Sequence, residues 1–481
     1  MGLSSALSTA VSGLTAAQTR AQTVANNIAN ANTDGYVRRT VSVSEKIVAG
    51  NGVGVQVDKI LRDSDPYLTL QRMKLEGDNA FASERATAAG QIAALLGEPG
   101  ATDGLFGTYA RFEQALRDAA ATPESTVLQR QVVDTAKDII REFDELAGRS
   151  VDLRTKADTD IGRAVQQVND ALKRLEELNG LGGQQLTPDV LDERQRLIDD
   201  VNAIIPVEVQ PVGEGIYLVT DSGVTLLATQ AREIEFSPSV LVARNQTLGG
   251  GLSGLVVDGT DITPGSTSSQ AIRGGQITAL FETRDNRIPA FNDSLDALAY
   301  DLVSRFSDDS VDPTKTAGEV GLFTVGSATP PIDGDIGLAS SLRLNAAIDP
   351  DQGGELYRIR DGLGAVAPGP AGNGDQINRL VDAFTGLQPT PGALGGVGQQ
   401  SAVSLVSGLS SELNYDLQRR EDSALYAGIR FDAAVNAEIA ATGVDTDQEL
   451  QQLILIEQAY AANAKVIETI SSLVDQLIRI S

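Results

Sequence analysis

The sequence contains no cysteine, no histidine and no tryptophan among its 481 residues. Without cysteine and histidine the chain has no disulfides, no thiol nucleophile and no zinc site of the usual ligand set, and it lacks the commonest general base. It also lacks the apolar run of about eighteen residues that a transmembrane helix needs. We therefore predict no catalytic residues, no cofactor, no bound metal and no membrane insertion.

Positive charge is scarce as well, because 38 basic residues face 65 acidic ones and leave a net charge of -27. A surface this acidic repels phosphates, so binding to nucleic acid or to an anionic membrane is not expected. The charge is unevenly distributed. Residues 1–60 hold five basic and three acidic side chains, whereas residues 440–481 hold two and six. The two ends of the chain are therefore complementary in charge.

Both ends carry a regular heptad pattern, and the first 33 residues contain only one charged side chain, Arg20. At this end the apolar or small residues at alternating spacings of four and three are Leu3, Leu7, Ala10, Leu14, Ala17, Ala21, Val24, Ile28 and Ala31. At the other end the corresponding residues are Leu453, Ile456, Tyr460, Ile467, Ile470, Val474 and Leu477, with Asn463 interrupting them. This spacing places them on one side of a helix, so both ends are predicted to pack helix against helix.

Two interpretations of these heptads are open: a helical hairpin within one chain, or repeated association between copies. The N-terminal stripe is mainly alanine, which lets backbones approach closely and suits a helix that is packed on several sides. Asn26, Asn27 and Asn30 add uncharged hydrogen-bonding groups, a pattern that can specify register. We favour association between copies.

Turn and capping signals divide the chain between its ends. The turn at Asp34 and Gly35 ends the first helix, and residues 37–57 alternate as a strand or extended arm. The helices predicted next are Tyr67–Leu96, a rod of about 80 Å or two helices in tandem from an N-cap at Thr122 to residue 179, and Thr187–Ile204. Short strands are predicted over residues 207–257, including 240–243. The remaining predictions are a helix after Gly275, loops or small strands over 308–400, and helix from Ala402 to the end with an interruption at 440–447.

The predicted fold class is α+β: an elongated, nested, multidomain chain with terminal coiled-coil helices, a long-helix rod domain and central antiparallel β regions. The predicted domains are residues 1–60 with 440–481 as the terminal coiled coil, 61–205 with 274–307 and 401–439 as the rod, 206–273 as the β region, and 308–400 as a small β or loop-rich outer domain. Such an outward-and-return path brings both termini to one end of the molecule.

Two motifs resemble ligand sites but fit them poorly. Asp308–Glu319 has the carboxylate spacing of a calcium loop, but Pro313 stands where the sharp turn needs glycine, and Lys315 lies inside the loop. Gly249, Gly251 and Gly254 match a dinucleotide-binding pattern, but they fall between strand-like runs instead of between a strand and a helix. We interpret the first motif as an acidic surface loop and the second as a hairpin turn.

The segment Ala21–Arg39 reads AQTVANNIANANTDGYVRR and resembles the N-terminal signature of bacterial flagellar rod, hook and hook-associated proteins, A-N-N-I-A-N-x-N-T-x-G-Y. The segment Gly443–Ile480 looks like the matching C-terminal end, most specifically over Glu457–Ile467. The GYVRR run, LDERQRLIDDV at 191–201 and GGQITALFETRDNRIPAFNDSLDALA at 274–299 are similar to elements of the hook-associated branch. The alternatives are a hook or distal rod protein of the same family and, with less support, a secreted adhesin with flagellar-type ends.

The resemblance implies a structural protein without catalysis that forms a ring at the hook–filament junction, with its terminal helices in the inner tube. It implies an extracellular location reached through the flagellar type III channel, without a cleavable signal peptide. The implied partners are copies of the chain itself, hook protein, hook-associated protein 3 and an export chaperone.

The candidate subunit-interface residues lie in the two terminal segments. They are Leu3, Leu7, Leu14, Val24, Asn26, Asn27, Ile28, Asn30, Thr33, Gly35, Tyr36, Leu453, Ile456, Tyr460, Asn463, Ile467, Ile470, Val474 and Leu477.

Overall fold

The structure is a computed structural model that describes residues 2–33, 35–48, 51–97, 103–327 and 329–480. Its helices are α1 (Leu3–Ala29), α2 (Pro66–Leu96), α3 (Gly104–Ala121), α4 (Thr126–Asn179), α5 (Pro188–Ile204), α6 (Gly275–Glu282), α7 (Ile288–Ser307), α8 (Leu338–Ser341), α9 (Arg358–Asp361), α10 (Asp375–Thr385), α11 (Ala402–Thr442) and α12 (Thr446–Ile480). A π-helical segment, Thr283–Arg287, joins α6 to α7. The long helices and the break before α12 agree with the sequence pattern.

The first two strands, β1 (Arg39–Val48) and β2 (Asn51–Arg62), form a long antiparallel hairpin. The other strands are β3 (Val207–Val212), β4 (Gly215–Thr220), β5 (Thr225–Leu227), β6 (Ile234–Glu235), β7 (Thr247–Leu248), β8 (Gly251–Leu252), β9 (Val256–Val257), β10 (Thr260–Asp261), β11 (Phe323–Thr324), β12 (Arg343–Leu344), β13 (Gln388–Pro389) and β14 (Gln399–Gln400). Strands β3-β4-β5 and β10-β9-β6 form two small antiparallel sheets. The predicted α+β class is confirmed, although the β7–β8 pair is parallel.

The strand predicted at residues 240–243 does not form, and that part of the prediction is wrong. The backbone N–H of Ser239 donates to Asp158 Oδ2 at 2.6 Å, and that of Val242 donates to Thr155 Oγ1 at 3.0 Å. Helix α4 therefore satisfies the donors that a neighbouring strand would otherwise take. Val240 is left 99% exposed, so its apolar character marks no buried face.

Helix α4 is one continuous element of 54 residues, about 80 Å long, but it does not start at Thr122 as predicted. Thr122 ends α3, a helix that the sequence pattern did not reveal, because its N–H donates to Asp118 O. Ser125 is the true N-cap, since its hydroxyl accepts from the N–H of Leu128 at 3.4 Å. Thr122 and Ser125 are both residue types that cap helix N-termini. Because Thr122 ends α3, only Ser125 is free to cap α4.

The buried side chains form two clusters that share α4. One joins the first half of α4 to α3 and α7, and it includes Phe112 and Phe306 in edge-to-face contact. The other joins the second half of α4 to α5, α6 and the β3-β4-β5 sheet. The apolar residues of segment 308–400, such as Phe323 and Phe384, lie in the first cluster. This segment therefore packs on the helices of the rod through a common core.

A buried ion pair fixes the β region to the rod. Arg284, in the π-helical segment, contacts Asp158 of α4 at 2.6 Å, and both side chains are fully buried. Its guanidinium also lies 4.5 Å from the centroid of the Phe281 ring and donates to the backbone oxygen of Ser253. Arg284 also pairs with Asp285 at 2.8 Å. Removing Arg284 would therefore leave Asp158 buried without its ion-pair partner, and such a loss typically costs about 3–5 kcal/mol.

A second polar cluster joins α2, α5 and α11 around Arg72. The Arg72 guanidinium contacts Asp199 at 2.8 Å and Glu76 at 3.5 Å, and it also pairs with Glu438. Three carboxylates thus surround one cation. Burial first, and then the negative charge of Asp199, raise the pKa of Glu76 to about 7.

We expect Glu76→Gln to stabilise the protein more at pH 8 than at pH 5.5. Below its ordinary pKa of 4.5, the Glu76 carboxyl is protonated in both the folded and the unfolded protein. As the pH rises from 4.5 to about 7, the carboxyl ionises in the unfolded protein but resists ionisation in the folded protein, so the wild-type protein loses stability. The gain in unfolding free energy at pH 8 should exceed that at pH 5.5 by about 2 kcal/mol, as measured by urea denaturation. Both conditions lie above the isoelectric point of 4.4.

Glu438→Gln is the matched control, because it removes a carboxylate that Arg72 and Thr69 both use. It should lower stability at both pH values. An equal gain from Glu76→Gln at the two pH values would contradict the raised pKa.

Candidate functional site: the paired chain ends

The two terminal helices pack against each other in antiparallel directions. Near the end of α1, Asn27 reaches Glu449 at the start of α12. Midway, Gly13 lies against Asn463, and near the start of α1 Leu3 lines the same groove as Ile470. The heptad pattern at each end therefore corresponds to helix-on-helix packing, as predicted.

The side of α1 that is buried within the chain consists of small residues. Ala10, Ala16 and Ala17 are buried, and a Cβ added to Gly13 would lie only 2.8 Å from Asn463 Oδ1. Leu7 stays 39% exposed and Val11 48% exposed. The side chains of Leu3, Leu14 and Ile28 are half-buried. The predicted stripe is thus divided, because its members Ala10 and Ala17 are buried, whereas Leu7 is exposed and Leu3 and Leu14 are half-buried.

The β1–β2 hairpin lies along another side of α1. The N–H of Val55 donates to Ser12 Oγ at 3.1 Å. Gly54, with φ at 117°, sits so close that a Cβ would lie 2.1 Å from the same oxygen. Only glycine fits both this backbone conformation and this approach. Helix α1 is therefore held between α12 and the hairpin.

Asn27 is the polar anchor of this arrangement. Its amide nitrogen donates to Arg39 O at 2.9 Å and to Glu449 Oε2 at 3.0 Å. Its amide oxygen accepts from the Tyr36 hydroxyl at 2.9 Å and from the Arg39 N–H at 3.1 Å. Asn27 is fully buried, and Glu449 is 1% exposed. One side chain thus joins α1, the base of the hairpin and α12.

Arg39 extends the anchor to α5. Its guanidinium contacts Asp189 at 2.7 Å and Asp192 at 2.9 Å, and Asp192 also pairs with Arg62 at 2.6 Å. Burial opposes the charge of Arg39, but the hydrogen bonds to these two carboxylates raise its pKa. Burial also raises the pKa of the Tyr36 phenol, whose ring lies 4.5 Å from the Arg39 guanidinium carbon. The motifs at residues 21–39 and 191–201 are thus brought into direct contact.

The other candidate interface residues divide by exposure. On α12, Leu453, Ile456, Asn463 and Ile467 are half-buried and Ile470 is buried, whereas Tyr460, Val474 and Leu477 are exposed. Asn26 and Thr33 are exposed, Val24 is buried, and Asn30 donates to Asn26 O at the end of α1. Gly35 has φ at 73°, a left-handed conformation that favours glycine. Whether these residues contact other subunits stays a prediction, since one chain does not test it.

Sequence reasoning missed four charged members of the anchor. Asp189, Asp192 and Glu449 form ion pairs with Arg38 and Arg39 of the first motif, and Arg62 pairs with Asp192. Asp192 and Glu449 lie inside the motifs at 191–201 and 443–480, but only their near-complete burial marks them as members of the anchor. Charge alone could not distinguish them from the many solvated carboxylates of this chain.

In the Asp308–Glu319 loop, the carboxylates of Asp308, Asp309 and Asp312 make contacts within the protein. Asp308 Oδ1 accepts from the N–H and hydroxyl of Ser310, and Asp312 accepts from Thr314 and Leu363. Lys315 pairs with Asp309 within the loop. No group of three metal-type ligands occurs among the residues that the structure describes. Over the same residues, no helix has the length and apolarity to cross a membrane.

Three family profiles match the chain. They are described as the helical domain of flagellar hook-associated protein FlgK over residues 89–321, flagella basal body rod protein over 7–36, and flagellar basal body rod FlgEFG protein C-terminal over 438–480. The two terminal profiles cover most of α1 and all of α12, and the helical-domain profile covers α3 to α7, including α4. The chain is therefore a structural protein of the bacterial flagellum.

Individual relatives indicate which flagellar protein this chain resembles. Flagellar hook-associated protein 1 of Salmonella typhimurium is 29% identical over 222 residues, which cover 43% of this chain and 40% of that protein. The protein of the same name from Bacillus subtilis is 24% identical over 93% of this chain and 92% of its own length. A solved structure, the flagellar hook junction protein FlgK from Burkholderia pseudomallei, aligns with 18% identity over 53% of this chain and 47% of that one, at a TM-score of 0.43. The chain is thus similar to flagellar hook-associated protein 1 in its helical domain and, at lower identity, over nearly its whole length.

We expect Asn27→Ala to loosen the chain ends, because the buried Glu449 keeps only its ion pair with Arg38 and the hydroxyl of the half-buried Tyr36 loses its acceptor. The loss of about 2 kcal/mol should raise hydrogen–deuterium exchange of the last two turns of α1 about 30-fold. Asn26→Ala is the matched control, since Asn26 is the exposed neighbour in the same motif. It should change exchange less than threefold, and similar effects from both variants would contradict the anchor.

Proposed function

We propose that this chain is a subunit of the junction between the flagellar hook and filament, and that it associates with copies of itself through its terminal helices. The observation that supports this most directly is the division of α1 into two sides. Small residues pack inside the chain, while Leu7 and Val11 remain exposed.

Helix α12 shows the same excess of exposed apolar surface. Leu473 is exposed, and Leu477 is 56% exposed near the end of the helix. Leu3 and Ala6 of α1 also line an apolar groove with Val466 and Leu473. Burial of apolar area contributes about 25 cal/mol per Å², so a contiguous apolar surface of this kind favours association. A helix pair with apolar residues on its outer sides suits packing among several neighbours.

We further propose the partners that the family resemblance implies. These are hook protein on one side of the ring, hook-associated protein 3 on the other, and an export chaperone before assembly. The location proposed with them is extracellular, at the hook–filament junction. A chain without cysteine suits export in an unfolded state, because no disulfide can form before or during transit. The role is structural, without catalysis.

We expect Leu7→Asp to abolish self-association while leaving the fold of the monomer intact. A charge at this exposed position costs little in the monomer but would be buried without a partner between copies. Sedimentation velocity at increasing concentration measures the association, and circular dichroism checks the fold. Ser8→Asp is the matched control, because Ser8 is exposed in the same turn but lies outside the leucine stripe.

Unchanged association of Leu7→Asp would contradict the proposal. Electron microscopy of the assembled wild-type protein separates the family alternatives. A junction subunit should stop at a short ring, whereas long tubes would favour a hook or distal rod protein.

A further inference from the structure

Helix α12 carries a second heptad stripe beside the one that faces α1. From Ile454 onward each member lies one position after a member of the first stripe, so the second stripe is rotated by about 100° around the helix. Its members are Asp447, Leu450, Ile454, Glu457, Ala461, Ala464, Glu468, Ser471, Asp475 and Ile478. All are exposed except the half-buried Ala464. We call this surface the acidic stripe, and it is about 46 Å long.

The acidic stripe holds nearly all the negative charge of α12. Of the five carboxylates in the helix, only Glu449 lies elsewhere, in the anchor. Glu468 pairs with Lys465 at an exposed position, and such pairs are worth little. Asp447, Glu457 and Asp475 have no ion-pair partner among the described residues. A regular, half-apolar stripe with these charges on one side of a helix is the pattern of a docking surface.

The hairpin carries the complementary charge. Lys59 is paired with Ser42 across the strands, and Lys46 lies two residues after Ser44. Strand alternation therefore places both lysines on the polar face of the hairpin, opposite the valines. Both are exposed and lack an ion pair within the described parts of the chain. Asp58, on the same face, is occupied by hydrogen bonds from Ser44 and Gln56.

The spacings of the two sets of charges agree. Ser42 and Lys46 are four residues apart, so the two lysines are separated by about 13 Å along the hairpin. Glu457 and Glu468 are eleven residues apart on the acidic stripe, which corresponds to about 16 Å. With a net charge of -27, two copies repel each other unless opposite charges meet at their contact. Lysines at this spacing supply such a contact.

We propose that the polar face of the β1–β2 hairpin, with Lys46 and Lys59, docks on the acidic stripe of α12 in a second copy of this chain. The contact is head-to-tail, because it joins two different surfaces, so each copy can pass it on to the next. The inference rests on the proposed self-association and names the surfaces that carry it. The leucines of α1 then supply apolar burial, while the hairpin and the acidic stripe set the register between neighbours.

Cross-linking tests the contact directly, because the chain has no native cysteine. Full-length Lys59→Cys and Glu457→Cys proteins are mixed at equal concentration and treated with a short bismaleimide. Each protein has one thiol, so a bond between the two variants can form only between copies. We expect at least fivefold more of this heterodimer than from Lys59→Cys mixed with Gln458→Cys. Gln458 is the exposed neighbour of Glu457 outside the acidic stripe.

Charge reversal provides the second test. We expect Lys46→Glu/Lys59→Glu and Glu457→Lys/Glu468→Lys each to weaken self-association about tenfold, and an equimolar mixture of the two to recover it to within about twofold. The second variant replaces two negative charges with two positive ones, which changes the net charge from -27 to -23. If general charge repulsion controlled self-association, this variant would associate more strongly than the wild type. The proposed contact predicts weaker association, so the measurement distinguishes the two explanations.

Equal cross-linking at Glu457 and Gln458, or no recovery in the mixture, would overturn this contact. The Leu7→Asp result is independent of both tests. If Leu7→Asp abolishes association but charge reversal does not affect it, the proposed function stands and this contact fails. If the heterodimer forms while Leu7→Asp has no effect, the contact stands and association through the leucines fails. A wild-type chain that stays monomeric at all concentrations would overturn both.

Discussion

The arrangement of the chain ends depends on the buried amide of Asn27. Its nitrogen and oxygen make four hydrogen bonds, which reach the backbone of Arg39, the hydroxyl of Tyr36 and the carboxylate of Glu449. Each group left unpaired in such a place would cost about 1–3 kcal/mol, so these partners specify one relative position of the three elements. Arg39 and Asp192 then tie that position to α5 and hence to the rod. The ends are thus oriented on the body of the molecule through polar contacts.

Helix α1 meets two packing requirements with two kinds of side chain. Close approach of α12 and the hairpin requires small residues, and Ala10, Gly13 and Ala17 provide them. Association with further helices requires apolar area, which the half-exposed leucines provide. A helix with leucine all round could not lie so close to Gly54 and Asn463. The division lets α1 pack within the chain and still expose apolar area, as the proposed self-association requires.

The body is organised by α4, which passes through both hydrophobic cores. The β region depends on this helix for its shape, because Thr155 and Asp158 bind the backbone of residues 239–242 directly. Asp158 also holds the fully buried Arg284. Segment 308–400 adds Phe323 and Phe384 to the first core, so its scarcity of regular structure does not leave it separate from the rod.

The sequence by itself determined the helical ends, the long rod helix, the β1–β2 arm and the family resemblance, because heptads, caps and a contiguous motif are local patterns. Tertiary structure alone decided which α1 side chains face inward. Helical periodicity identifies the apolar side of the helix, but it does not distinguish an alanine that permits close packing from a leucine that stays at the surface. It also decided that Thr122 ends α3 and that residues 240–243 form no strand, because the competing partners lie elsewhere in the fold. Asp192 and Glu449 can be recognised as anchor residues only in the folded chain, where Asp192 is buried beside Arg39 and Glu449 beside Asn27. Asn27 and Glu449 are 422 positions apart in the sequence, so no local pattern connects them.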